Sequence, residues 1–109
     1  MELSDEMLTE ISYVQISKYR EKVMKSLDGE VKIPSQIAKD SDIRVNHISK
    51  VLSELKAHEL VECINPEVRK GRLYRLTEHG NAVVKNLEWW LIIKLLNLVF
   101  HIVYCQYNI

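Results

Sequence analysis

Cysteine, glycine and an excess of charge of one sign are all scarce in this 109-residue chain, and each scarcity removes a class of chemistry. The two cysteines, Cys63 and Cys105, stand far apart with no CxxC spacing. They cannot build a thiolate metal site or a disulfide framework, and a reducing, cytoplasmic setting is expected. Three glycines are too few and too dispersed for a loop that cradles phosphate. The four histidines, His47, His58, His79 and His101, show no HExxH-type spacing, and no serine or cysteine has a His and carboxylate partner suggested by the sequence. No catalytic residue, metal or cofactor is therefore expected, nor is any small-molecule ligand indicated. The first ten residues hold four acids and no apolar run, so no signal peptide is expected there.

Net charge is zero, with 15 Lys and Arg against 15 Asp and Glu, which argues against a uniformly basic nucleic-acid binder. The distribution matters more than the sum. Between residues 69 and 75, Arg69, Lys70, Arg72 and Arg75 stand together without an acid. With 47% hydrophobic and 28% charged residues, the chain is neither disordered nor fibrous. Its length suits one small domain of roughly 100–150 residues, which a partner subunit would help to stabilise.

Residues 1–16 read as a helical or irregular extension, in which Met7, Leu8, Ile11, Val14 and Ile16 could line one side of a helix capped by Ser4. Ser17 is the expected cap of the next helix, whose apolar positions Tyr19, Val23, Met24 and Leu27 are assigned to the core. That helix stops at Asp28-Gly29. Pro34 suits a first helical turn and opens a short helix that Ser41-Asp42 breaks. From about 45 to 58 a second helix is predicted, its stripe made of Val45, Ile48, Val51, Leu52 and Leu55 and its opposite face of Asn46, His47, Ser49, Lys50, Ser53 and Glu54. Residues 60–64 and 72–76 are β-prone runs flanking a hairpin tip with Pro66 and Gly71, and Cys63 in the first run reads as a small buried hydrophobe. Thr77 should cap a last helix, in which Gly80 costs about 1 kcal/mol against alanine and therefore points to close packing.

The order helix, turn, helix, hairpin, helix resembles the small winged-helix transcriptional regulators of archaea and bacteria, in the broad MarR/ArsR-like group. Its marks are Ser17-Lys18-Tyr19-Arg20, Ser35-Gln36-Ile37-Ala38, the helix leading to Leu60-Val61-Glu62, the basic Arg69-Lys70-Gly71-Arg72, and Leu76-Thr77-Glu78-His79-Gly80. The resemblance implies a mainly α, α+β winged helix-turn-helix domain over 17–87. It also implies a homodimeric regulator that inserts the second helix of the motif into the major groove of double-stranded DNA. Arg44 stands where such proteins often place a small polar cap, and it is read instead as a phosphate contact.

Physical chemistry gives each residue an expected part. Asn46, His47 and Lys50 lie near the start of the recognition helix, where Asn can pair with adenine and Lys can reach guanine acceptors. Ser49 and Ser53 could contact bases or phosphates. Ser35 and Gln36 open the preceding helix, where its dipole favours phosphate. Arg69, Lys70 and Arg72, in a wing of about 65–72, would grip the backbone in a salt-sensitive way. A protein-interaction module is the competing use of the same fold.

From 88 to 109 the chain turns almost wholly apolar, broken by Lys94, Asn97 and His101 at helical spacing. This segment reads either as a long dimerisation helix burying Trp89, Trp90, Ile92, Leu95, Leu96 and Val99, or as a membrane anchor over 89–105. The anchor would tether the regulator to the inner face of the membrane, but it is a little short of the roughly 20 residues a span needs.

Overall fold

Serines open the first two helices, as their short polar side chains dictate. A computed structural model describes residues 4–87, together with 95 and 96. In it Ser4 Oγ accepts from the Met7 amide at the start of α1 (Asp5–Ile16), and Ser17 Oγ accepts from the Arg20 amide at the start of α2 (Lys18–Ser26). Each hydroxyl satisfies one of the amides that a helix start leaves without a carbonyl partner. Next come α3 (Pro34–Ser41) and α4 (Val45–Ala57), then the antiparallel strands β1 (Val61–Cys63) and β2 (Tyr74–Leu76). A fifth helix, α5, is described over 78–87. The strand register pairs Val61 with Leu76, Glu62 with Arg75 and Cys63 with Tyr74.

The expected ambiguity at the N-terminus resolves into helix, and α1 joins the same buried cluster as the rest, with Ile11 and Val14 enclosed. Ile16 does not share that face and is 81% exposed. It lies five residues past Ile11, which carries it about 140° round the helix. The core otherwise gathers apolar side chains from every element: Val23 and Met24 from α2 and Leu27 at its C-cap, Ile37 from α3, Ile48, Leu52 and Leu55 from α4, Val61 from β1, Leu76 from β2, and Val83 and Leu87 from α5. Burying each such side chain contributes roughly 1.5–3 kcal/mol.

Three local expectations are revised. Tyr19 is not core but exposed, because its place in the first turn of α2 carries it to the rim. Cys63 is half-buried rather than enclosed, its thiol turned toward Asn65 Oδ1 at 3.7 Å. Val45 leaves the stripe and is 58% exposed. The turn residue Ile43 is buried in its stead, and with Ile48 it occupies the two positions of a hydrophobic staple around the start of α4.

The hairpin also gains an edge that the sequence did not announce. Lys32 bridges Tyr74, each backbone amide donating to the other's carbonyl at 3.0 and 2.9 Å. The Lys32 ammonium then reaches Asp40 in α3 at 2.7 Å and Glu30 at 3.0 Å, so a single side chain ties the sheet to the helix-turn-helix. Burial alone would lower the Lys32 pKa, but the hydrogen bonds to Asp40 and Glu30 outweigh it and hold it above the ordinary lysine value. The hydrogen bond from Lys32 holds the Asp40 carboxyl below its ordinary value, with Gln36 assisting. A depressed carboxyl stabilises the fold above its unfolded pKa, and that contribution is lost as pH falls through the folded one. Asp40→Asn should therefore be less stable than wild type at neutral pH, and in melts the gap should narrow as pH falls below the ordinary aspartate value near 3.9.

Candidate nucleic-acid interface

The helix-turn-helix is built by one left-handed residue. Asp42, at φ 56°, ends α3 and donates its amide to the last carbonyls of that helix, while the Ile43 amide returns to the Ala38 carbonyl at 3.0 Å. Aspartate is one of the few non-glycine residues that tolerate this conformation. Arg44 then occupies the N-cap of α4. Its carbonyl accepts from the His47 amide at 2.9 Å, its side chain makes no cap bond, and it is exposed.

The buried side of α4 (Ile48, Val51, Leu52 and Leu55) fixes what faces outward. Asn46, His47, Ser49, Lys50 and Ser53 are all exposed on the other side. Glu54, assigned by sequence to that polar face, is half-buried and committed to Arg20. The carboxylate that would have diluted the positive face is thus turned to structural use. Tyr19 is the residue that sequence reading missed. Its ring lies 5.6 Å from the His47 imidazole at a 46° tilt, so α2 flanks the exposed face of α4 with an aromatic side chain. A tyrosine two places past the Ser17 cap, in the first turn of the helix, is the only sequence signal for it.

Before α4, Ser35 is exposed in the first turn of α3, whereas the Gln36 amide is engaged with the Asp40 carboxylate at 2.9 Å. Ser35, Lys39, Asp42, Ile43, Arg44 and Val45 line one shallow concavity between α3 and the start of α4, in which the Asp42 carboxylate stands among the two cations. The structure thus brings Ser35 and Arg44 to a common groove.

Arg20 anchors the arrangement from behind. Its Nε donates to Glu54 Oε2 at 2.9 Å and Nη2 donates to the same oxygen. Nη1 donates at 2.9 Å to the Tyr13 carbonyl, which lies in the last turn of α1 where helix carbonyls lack amide partners. The guanidinium also sits 3.9 Å above the Tyr13 ring, whose other neighbour is the His58 imidazole at 3.6 Å, stacked. His58 Nδ1 lies 3.2 Å from a Glu10 oxygen. One arginine therefore couples α1, α2 and α4. Arg20→Ala should cost about 2–4 kcal/mol, since it strands a half-buried carboxylate and an orphan carbonyl together. Arg20→Lys should recover little, because an ammonium cannot reproduce the fork. Thermal melts of the two variants against wild type check both statements.

The wing tip is preformed. Asn65 staples it: Nδ2 donates to the Gly71 carbonyl at 3.2 Å and Oδ1 accepts from the Leu73 amide at 2.7 Å. Gly71, at φ 75°, supplies the left-handed step. Arg72 Nε donates to the Val68 carbonyl at 2.7 Å, which uses one of five guanidinium donors and holds the group on the tip. Arg69 and Lys70 are exposed beside it. Arg75, counted with them in the sequence, pairs instead across the strands with Glu62 at 2.7 Å. The basic tip thus reduces to Arg69, Lys70 and Arg72.

The expected dimerisation residues Trp89, Trp90, Ile92 and Val99, and the alternative anchor over 89–105 apart from residues 95 and 96, lie outside the described residues. Leu95 and Leu96 are helical and each 61% exposed. Among the described residues no helix is long and apolar enough to cross a membrane, and no group of three His, Cys, Asp or Glu is placed to hold a metal ion.

No protein-family model matches the chain, and no curated protein is significantly similar to it. Solved structures are. A MarR family transcriptional regulator from Silicibacter pomeroyi superposes with a TM-score of 0.60 at 15% identity, covering 89% of this chain and 72% of that one. A second MarR family transcription regulator gives 0.63 at 20% identity, covering 92% and 76%. A homodimeric winged helix-turn-helix DNA-binding domain from Mycobacterium bovis, described as a possible ArsR-family regulator, gives 0.61 at 19% identity, covering 88% and 91%. At these identities the similarity shows the fold alone, and that fold is a winged helix-turn-helix.

Proposed function

We propose that this winged-helix chain is a DNA-binding transcriptional regulator. The observation that carries the reading is the pairing of two exposed features: the polar face of α4, with Asn46, His47 and Lys50 outward, and the stapled basic wing tip. On this reading α4 enters the major groove, where Asn46 and Lys50 meet base edges and the Tyr19 ring holds the imidazole of His47 to one side. Arg44 and Ser35, on their shared groove, take phosphate with Lys39 between them. Arg69, Lys70 and Arg72 grip the backbone beyond. The committed Glu54 supports the reading, because it removes the one acid from the presented face.

A homodimer is part of the proposal, through the apolar segment 88–109, to which the exposed Leu95 and Leu96 belong. The Mycobacterium bovis domain of the same fold is homodimeric. Two recognition helices would then face successive grooves, on half-sites about 10 bp apart.

The test is fluorescence-anisotropy binding of the full chain to duplex DNA across a salt series. Affinity should fall steeply and linearly in log K against log[salt]. Asn46→Ala should leave that slope alone and relax discrimination at one base pair by about 1–3 kcal/mol. Absence of binding even at low salt would transfer the fold to protein interaction.

A further inference from the structure

Val45 has no structural reason to be where it is. Its spacing belongs to the apolar stripe of α4, yet it is 58% exposed and absent from the buried cluster, its place taken by Ile43. Among the exposed large hydrophobics of the described residues it is the only one on α4. A β-branched residue gains nothing for the helix either, since its χ1 freedom is reduced there. Neither packing nor propensity accounts for a branched apolar side chain at the first position of the recognition helix.

Its surroundings give it a use. At about 100° per residue, Val45 lies on the flank of α4 next to Ser49 and one step round from Asn46. It also lines the concavity that holds Ser35, Lys39 and Arg44. A strand whose phosphate is held by those three brings its base edges against the first turn of α4. The base-edge feature that an aliphatic side chain recognises in the major groove is the 5-methyl of thymine, the one apolar group displayed there.

Resting on the DNA-binding reading, we infer that Val45 is a specificity-determining residue that packs against a thymine methyl in each half-site. Asn46, beside it, then reads the neighbouring pair by hydrogen bonds. The first turn of α4 combines an apolar and a polar reader, and the apolar one contributes selectivity without any hydrogen bond.

The experiment begins with selection of the full chain on a random duplex pool. Each thymine of the enriched site is then replaced by deoxyuridine, which lacks only the methyl. In the wild type one thymine per half-site should weaken binding by about 4-fold on replacement, the loss expected for one buried methyl. In Val45→Ala, and in Val45→Ser as a second variant, that thymine should become indifferent to replacement while every other position responds as before. Because Val45 is exposed, melting temperatures should stay near wild type, which separates a reading role from a folding one. A thymine-to-uracil ratio unchanged by the variants at every position would overturn the inference while leaving DNA binding intact. So would salt-dependent binding without any enriched sequence. Absence of binding by the wild-type chain even at low salt would overturn the functional reading and this inference with it.

Discussion

Gly80→Ala should lower the stability of the domain by about 2–4 kcal/mol, which for a domain of this size is a melting temperature lower by roughly 10–25 °C. A methyl added at Gly80 would stand 2.0 Å from the Leu60 carbonyl oxygen and 3.0 Å from its carbon. Both are backbone atoms, so no rotamer change relieves the overlap, and α5 must move off the start of β1. That carbonyl is also an acceptor for the Thr77 amide at 3.1 Å, and Thr77 Oγ1 in turn donates to the Glu59 carbonyl at 2.6 Å and accepts from the Gly80 amide at 2.9 Å. Displacing α5 loosens the cap together with the contact. Alanine is the better helix former by about 1 kcal/mol, and the sign of the result shows which effect wins. A variant as stable as wild type in thermal and urea melts would show that the helix approaches β1 less closely than described. Gly29→Ala is a contrasting control: nothing lies within 4 Å of its added methyl, and only the strain of φ 70° remains.

The second large effect is on binding. Replacing Arg69, Lys70 and Arg72 together by alanine should flatten the slope of log K against log[salt] by about 2.7, at 0.9 per phosphate neutralised on duplex DNA. Referred to 1 M salt, where the counterion contribution vanishes, that slope corresponds to a loss of about 500-fold in affinity at 0.1 M. The loss should be alike for all sequences, since phosphate carries no base identity. Arg72 complicates the triple variant because its guanidinium also holds the Val68 carbonyl. Arg69→Ala/Lys70→Ala spares that tie and should lower the slope by about 1.8, with an unchanged melting temperature. If the double variant retains the wild-type slope, the tip does not meet the backbone.

Both effects start from residues that stand out in the sequence. Gly80 advertised itself: a glycine in the first turn of a predicted helix is costly unless something approaches closely, and the approaching group proved to be the Leu60 carbonyl. The basic tip was equally visible as a run of cations between β-prone segments. Arg75 belonged to the same run, yet its antiparallel register with Glu62 removes it from the tip, and register is a property of two strands rather than of one. Glu54 shows the same limit. On a helical wheel it belongs with Asn46 and Lys50, and only the arrival of Arg20, 34 residues away in sequence, takes it out of the presented face.

What the sequence alone determined here is whatever follows from local spacing and backbone preference. That includes the serine and threonine caps at Ser4, Ser17 and Thr77, the proline start of α3, the breaks at residues 28–29 and 41–42, the alternation of helices with one hairpin, and hence the winged-helix order. Caps, turns and periodicity act within a few residues, so the chain carries them in plain view. Only the tertiary structure decided which apolar residues are left outside. Tyr19 and Val45 are indistinguishable by pattern from their buried neighbours. Their exposure is set by where one helix stops touching another, and by Ile43 entering the core from the turn. The same holds for the Lys32 tie between sheet and α3 and for the Arg20 hub, since both join residues that approach each other only after the helices have packed.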